Sequence, residues 1–229
     1  MKKILLVLNL LFASFAMTGC SEEEIAFYDQ DVRLNFSWTG IYFSFTDADY
    51  LNGKTDSIVK VSVQIQGYLL DKPRTYCLKN VEYEGYKSMA QVEFLENPYT
   101  FKKIEGITDS LYVRVLRPEK PTDGIEKACA SLIVFDLENP AHQFGKGRED
   151  KSTIKVIPQW TFKPNYWDDS KWGKYSFGKY RFMIDTLQVL YSDMWGKEEM
   201  VAKAYVEYKK NNPPILDDKG EETTFPVEE

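Results

Sequence analysis

The chain has 229 residues, 43% of them apolar, 28% charged and 15% aromatic, which suffices to bury a substantial core and excludes disorder or collagen-like repeats as the main state. Its formal net charge is −6, and no basic cluster exceeds a pair such as Lys209-Lys210, so nucleic acid and anionic head groups are poor partners. A single histidine rules out mechanisms that need two or three imidazoles, such as a typical hydrolytic zinc site, and neither a metal nor a cofactor is expected.

Met1-Lys2-Lys3 is a cationic start, residues 4–16 form an apolar stretch too short to span a membrane, and Met17-Thr18-Gly19-Cys20 closes it. That order reads as a lipoprotein signal peptide over residues 1–19. Small side chains at Thr18 and Gly19 let a peptidase close around extended backbone, and the Cys20 thiol takes the lipid. Acyl chains at about 0.8 kcal/mol per buried CH₂ would then hold the protein on the outer membrane. The following Ser21-Glu22-Glu23-Glu24 resembles the surface-export signal of Bacteroidota lipoproteins, which places the chain on the cell exterior. The same acidic run also serves as an extended, self-repelling tether over residues 20–39.

From residue 40 short β-rich segments recur between turn signals. Residues 41–45 lead into a turn-like stretch, 46–56, rich in Asp, Asn and Gly. Residues 58–66 alternate Val59, Val61, Val63 and Ile65 against Lys60, Ser62, Gln64 and Gln66, a strand with one buried face. Further strands are expected at 75–81, 89–95, 110–116, 128–137 and 152–158. About seven strands with no helical pattern between them predict an antiparallel sandwich over residues 40–158. Cys77 and Cys129 lie in apolar strand-like runs with no base beside them. They read as two separate buried thiols, although an oxidising envelope permits a disulfide.

The pattern changes after Pro158. Aromatics crowd residues 160–175, and apolar spacing at Phe182, Met183, Leu187, Leu190 and Tyr191 predicts a helix over 180–191. A second helix over 197–209 is expected to bury Met200, Val201, Ala204 and Tyr208. Pro213-Pro214 ends it. Residues 159–210 thus form an aromatic-rich helical module, and 211–229 an acidic tail that is mobile or laid across the surface.

Chemistry finds little foothold. Asp168-Asp169 and Glu198-Glu199 are adjacent carboxylates, whereas glycoside hydrolysis needs two that face each other at about 5–9.5 Å. His142 has no nucleophile or acidic partner at motif spacing, and Gly145-Lys146-Gly147 lacks the following helix that a phosphate loop needs. Asp47, Asp49 and Asn52-Gly53 resemble a calcium loop, but Ile58 stands where a bidentate Glu belongs. The aromatics of the sheet-to-helix junction can be read in two ways. Outward rings at Tyr166, Trp167 and Trp172 would stack on sugar C–H faces or on a partner, or the same rings staple the helices to the sheet. Asp56-Ser57-Ile58 and Asp109-Ser110-Leu111 fit a loose O-glycosylation tripeptide at Ser57 and Ser110.

Several segments follow one another in a recognisable order: Ile41-Tyr42-Phe43, the alternating strand ending near Gly67, and Leu111 to Arg117. After them come Asn139-Pro140 to Gly147, Trp172 to Phe182, and the Pro213-Pro214 to Pro226 ending. Together they resemble the Bacteroidota lipoproteins called domain of unknown function 4843. The resemblance implies an immunoglobulin-like or Calx-β-like sandwich with a helical appendage, and no activity. It also implies an outer-membrane nutrient-uptake setting, with a TonB-dependent importer and its companion binding lipoprotein as partners. The expected function is therefore a non-enzymatic binding or accessory component handling a nutrient, with glycan the foremost candidate. An unrecognised glycan hydrolase or esterase is the alternative.

Overall fold

A computed structural model describes residues 31–225, so Cys20 and the Ser21, Glu22, Glu23, Glu24 run lie outside the described residues. The first strand, β1 (Arg33–Phe36), turns Leu34 and Phe36 inward, and both are buried, as is Val32 just before it. The expected tether therefore ends before residue 32. Its last residues alternate over too short a run to announce a strand.

Strand β2 (Gly40–Thr46) leads into helix α1 (Asp47–Leu51), where only a turn was expected. Thr46 and Asp49 explain the helix: the Thr46 hydroxyl accepts from the Asp49 amide, and the Asp49 carboxylate accepts from the Thr46 amide at 2.9 Å, a reciprocal capping box. Strand β3 (Asp56–Gln66) follows the predicted alternation. The expected strand at 75–81 is interrupted at Cys77, giving β4 (Arg74–Tyr76) and β5 (Leu78–Glu82), and that at 89–95 divides into β6 (Ser88–Met89) and β7 (Val92–Phe94). Then come β8 (Tyr99–Phe101), β9 (Thr108–Leu116), β10 (Cys129–Phe135), β11 (Gly145–Lys146) and β12 (Thr153–Thr161).

Two sheets result, one ordered β11-β1-β3-β9-β7 and the other β2-β12-β10-β5 with β6 also on β10, while β4 and β8 form a separate pair. The fold is mainly β, a sandwich with a small helical part, but it is not purely antiparallel. β1 and β11, β2 and β12, and β6 and β10 pair in parallel. Although the link between β1 and β2 is only three residues long, it carries the chain from one sheet to the other, so β2 does not pair with β1 as a hairpin and lies instead beside β12, running the same way.

The inward faces of both sheets share one apolar cluster, in which Phe36 stacks on Phe135 at 4.2 Å between ring centroids. Cys77 and Cys129 are separate buried thiols, and burial raises both above the ordinary thiol range.

Three helices follow: α2 (Asp169–Trp172), α3 (Phe177–Leu187) and α4 (Glu198–Tyr208). They close a second cluster in which Phe45 of β2, Trp160 of β12 and Phe162 meet Trp172, Tyr180, Met183 and Ile184. The expected boundary at 158/159 thus falls inside β12, whose Ile154 and Val156 belong to the first cluster and whose Trp160 belongs to the second.

Helix α4 buries Val201, Ala202 and Tyr205 and leaves Met200 exposed, a face rotated from the predicted stripe. The C-terminal segment chooses this face. Tyr205 accepts a hydrogen bond from the Ile215 amide at 3.1 Å and packs edge-on against Phe225. Thr223 is buried, and Lys209 pairs with Glu222 at 2.7 Å. Residues 213–225 are therefore laid across the helices. Gly178 permits the crossing, since a β-carbon there would stand 2.7 Å from Ile215 Cγ2.

Lys179 is enclosed beneath this segment at 3% exposure, its ammonium donating to the Trp172 carbonyl at 2.6 Å. Burial pulls its pKa down to about 8. The unfolded chain holds that proton up to about pH 10.4, so between pH 8 and pH 10 the unfolded state binds more protons. Stability should rise with pH across that window and fall as pH drops through 8. Denaturant titrations at pH 7.5, 8.5 and 9.5 should show the rise in wild type. Lys179→Met should flatten it; a slope unchanged in the variant would assign it elsewhere.

Candidate functional site

The junction aromatics are a staple. Trp172 is 2% exposed, and the half-buried Trp167 stacks on Tyr191 at 5.2 Å, meets Tyr175 edge-on at 5.1 Å, and donates its indole N–H to the Gly173 carbonyl at 2.8 Å. Trp172 is closed to any ligand or partner, which corrects that expectation, while Trp167 is held by these contacts with part of its surface still open. Tyr166, 65% exposed, is the most open of the three. The physical cause is area: a helical part of this size has few aliphatic residues, and large rings supply its core.

The carboxylate pairs are equally committed. Asp168 caps α2, and hydrogen bonds from Ser170 hold its carboxyl below the ordinary range. Glu198 stands 3.9 Å from Lys171, and Glu199 pairs with Lys203 one helical turn away. His142 accepts from the Cys77 amide through Nδ1 at 3.2 Å, and burial pushes its pKa down, so it is neutral at pH 7. Asp49 pairs with Lys54 at 3.0 Å, and Asp47 accepts from the Tyr180 hydroxyl at 2.8 Å. The calcium-like stretch is thus a capped helix, and no three metal-ligating groups cluster among the described residues. Ser176 and Lys179 have the spacing of a Ser–Lys nucleophile pair. Instead the Ser176 hydroxyl caps α3 by accepting from the Lys179 amide at 3.2 Å, and the two groups serve structure.

Ser57 and Ser110 sit half-buried within the paired central strands β3 and β9. Ser57 shares the inward parity of Val59 and Val61, and Ser110 the outward parity of Tyr112.

A concave site lies where sequence reading did not place one, around Arg117, the residue after β9. Its guanidinium sits 4.4 Å from the Trp160 ring centroid and 5.3 Å from that of Tyr50, and it donates to the Lys54 carbonyl at 2.9 Å. Stacking on two rings fixes its plane. Burial is the main influence pulling its pKa below the usual guanidinium value. Among the described residues no carboxylate pairs with it, whereas Arg148 and Arg181 each have one and Arg114 has two.

Arg117 lines two grooves. One, of about 270 Å³, is bounded by Tyr50, Leu51 and Gly53 on the α1 side and by Ile184, Asp185 and Gln188 on the α3 side. The Tyr50 hydroxyl donates to Asp185 at 2.8 Å and accepts from Arg181 Nε at 3.0 Å, which fixes the rim. Gln188 caps α3 in the left-handed region at φ 53°, its amide on the Asp185 carbonyl at 2.9 Å. The other groove, of about 350 Å³, runs past Met89, Leu116, Pro118, Pro121 and Ile125. An apolar trough with a few fixed polar groups is the ordinary make-up of a small-ligand site.

On the outer face of the second sheet Tyr42 is 73% exposed, and Lys155 lies 5.3 Å over Tyr83.

Among the described residues no helix is long and apolar enough to cross a membrane. No curated protein sequence matches the chain. A solved structure from Bacteroides fragilis NCTC 9343, described as a two-domain protein with unknown function, is similar at 8% identity and a TM-score of 0.38, over 61% of this chain and 49% of that one. The sequence model of the family described as domain of unknown function (DUF4843) matches residues 20–189, spanning both sheets and α3. The chain belongs to the DUF4843 family.

Proposed function

We propose that this protein is a lipid-anchored binding component of a nutrient-uptake system on the outer face of the outer membrane, with no enzymatic step of its own, and that glycan is its cargo. The observation that carries the reading is the pair of grooves that share Arg117 in their lining, concave and part apolar, with Tyr50 and Asp185 held by hydrogen bonds at the rim of one. The Met17-Thr18-Gly19-Cys20 sequence and the acidic residues after it support the lipid anchor and outward display. Confinement to the plane of an importer raises effective concentration, so a weak association with a TonB-dependent importer and its companion binding lipoprotein suffices.

Membranes from cells expressing the chain should retain a soluble polysaccharide in a pull-down across a polysaccharide panel, without releasing oligosaccharide. Cys20→Ala should move that binding activity to the soluble fraction. Released oligosaccharide that copurifies with the chain would favour the hydrolase reading, and binding that stays with the membrane in the Cys20 variant would remove the lipid anchor.

A further inference from the structure

The grooves that meet at Arg117 present an uneven set of polar groups. Arg117 contributes a planar cation that makes no ion pair with a carboxylate among the described residues, although Asp49, itself paired with Lys54, acts on it electrostatically, and of its donors one is taken up by the Lys54 carbonyl. A half-buried guanidinium left this way accepts a carboxylate in a two-point contact that a lysine cannot reproduce. Across the 270 Å³ groove stand Asp185, an acceptor of hydroxyl protons, and the Gln188 amide, a donor and acceptor. The Tyr50–Asp185 and Arg181–Tyr50 hydrogen bonds hold the acceptor in place before any ligand arrives.

We infer that this site takes an acidic sugar unit, its carboxylate on Arg117 and its hydroxyls on Asp185 and Gln188, with the rest of an oligosaccharide running along the 350 Å³ groove past Leu116 and Pro118. A hexuronate carries a carboxylate and several hydroxyls on one ring, so one unit meets a cation, a carboxylate acceptor and an amide together. An acidic peptide supplies the carboxylate but spreads its remaining donors along the chain. The second groove gives such a ligand direction. Arg117 lines both, so a chain with its acidic unit at Arg117 continues into a trough whose Met89, Pro121 and Ile125 face the apolar sides of further rings. The carboxylate in the same groove, Asp185, is already engaged by Tyr50 and stands 3.6 Å from Arg181, and the more distant exposed charges behind the overall −6 are screened beyond about 8 Å at physiological ionic strength. This inference rests on the glycan reading above and narrows it to acidic glycans.

Calorimetric titration of the purified full chain in 0.15 M salt tests it with three probes: trigalacturonate, its fully methyl-esterified form, and the neutral trisaccharide maltotriose. Trigalacturonate should bind at least tenfold tighter than either of the others. Arg117→Lys, which keeps the charge and loses the fork, should weaken trigalacturonate at least fivefold with thermal unfolding unchanged. Should that variant unfold, the comparison of acid with ester on the wild-type protein decides alone. Equal affinity for acid and ester overturns the inference and leaves the glycan reading standing. Capture of an acidic peptide such as tetraglutamate, with no binding of any saccharide, overturns both.

Discussion

Trp172→Ala is expected to destabilise the protein by about 3–5 kcal/mol, the range for removing a large aromatic from a closed core. The ring is 2% exposed in the cluster that holds Phe45, Trp160, Tyr180 and Met183. Around it stand large rings locked edge to face, such as Trp160 against Phe162 at 5.3 Å and Trp167 against Tyr180 at 5.8 Å, so the cavity cannot collapse by small shifts. α2 is only four residues long and caps on Asp168; without its tryptophan it loses its main apolar anchorage. Denaturant unfolding of Trp172→Ala beside Tyr166→Ala separates the staple from a surface role. The exposed Tyr166 should change stability by no more than about 0.5 kcal/mol. A Trp172 variant within about 1 kcal/mol of wild type would mean the ring does not hold the helices to the sheet.

Gly147→Ala should be nearly as costly for a different reason. A β-carbon at Gly147 would stand 2.2 Å from the Leu34 carbonyl oxygen and 2.4 Å from Asn35 Oδ1. Neither atom can step aside cheaply. Leu34 is in β1 between β3 and β11, and Asn35 Oδ1 accepts from the Arg148 amide at 2.7 Å. Overpacking a well-filled core costs about 1–3 kcal/mol, and with backbone as the obstacle the loss should reach at least about 2 kcal/mol. Gly53→Ala is the comparison: its φ of +68° strains any side chain, yet nothing lies within 4 Å of the added carbon. That loss should be about 1 kcal/mol, the lower end of the cost of a side chain in the left-handed region. If Gly147→Ala unfolds at the same denaturant concentration as Gly53→Ala, the close crossing of β1 and residue 147 is not a constraint on the fold.

The parts of the architecture that could be read from the chain were those where the local pattern and the tertiary environment agree. β3 is one: eleven residues with Val61, Val63 and Ile65 buried on one side, a period that only a half-buried strand explains. Where a distant segment decides, local pattern was insufficient. Helix α4 has apolar residues on more than one face, and residues 213–225 select Tyr205 over Tyr208. The split at Cys77 reflects a change of partners, β4 joining β8 and β5 joining β10, which no composition encodes. For the junction rings, abundance was legible but direction was not; Tyr175, Tyr180 and Tyr191 pack around Trp167, and Trp172 is buried in the same helix-side cluster. The Arg117 site was hidden for the plainest reason. Tyr50, Arg117 and Asp185 are scattered across three segments with no motif spacing, and only the packing of α1 and α3 beside the end of β9 makes them neighbours.

Strand β12 has a further bearing on how this chain can be cut. Ile154 and Val156 point into one cluster and Trp160 into the other, while β2 alongside divides the same way between Ile41 and Phe45. A truncation after Pro158, drawn to isolate the sandwich, would strip Trp160 from the strand and leave Phe45 facing water. A fragment ending at Val189, where the family match stops, would expose Tyr180 and Met183 by losing Tyr191, Met194 and Val201. Each such piece carries a raw hydrophobic surface, the condition under which chains aggregate instead of fold. The smallest separately producible form of the described region is therefore one that keeps residues 32–225 together.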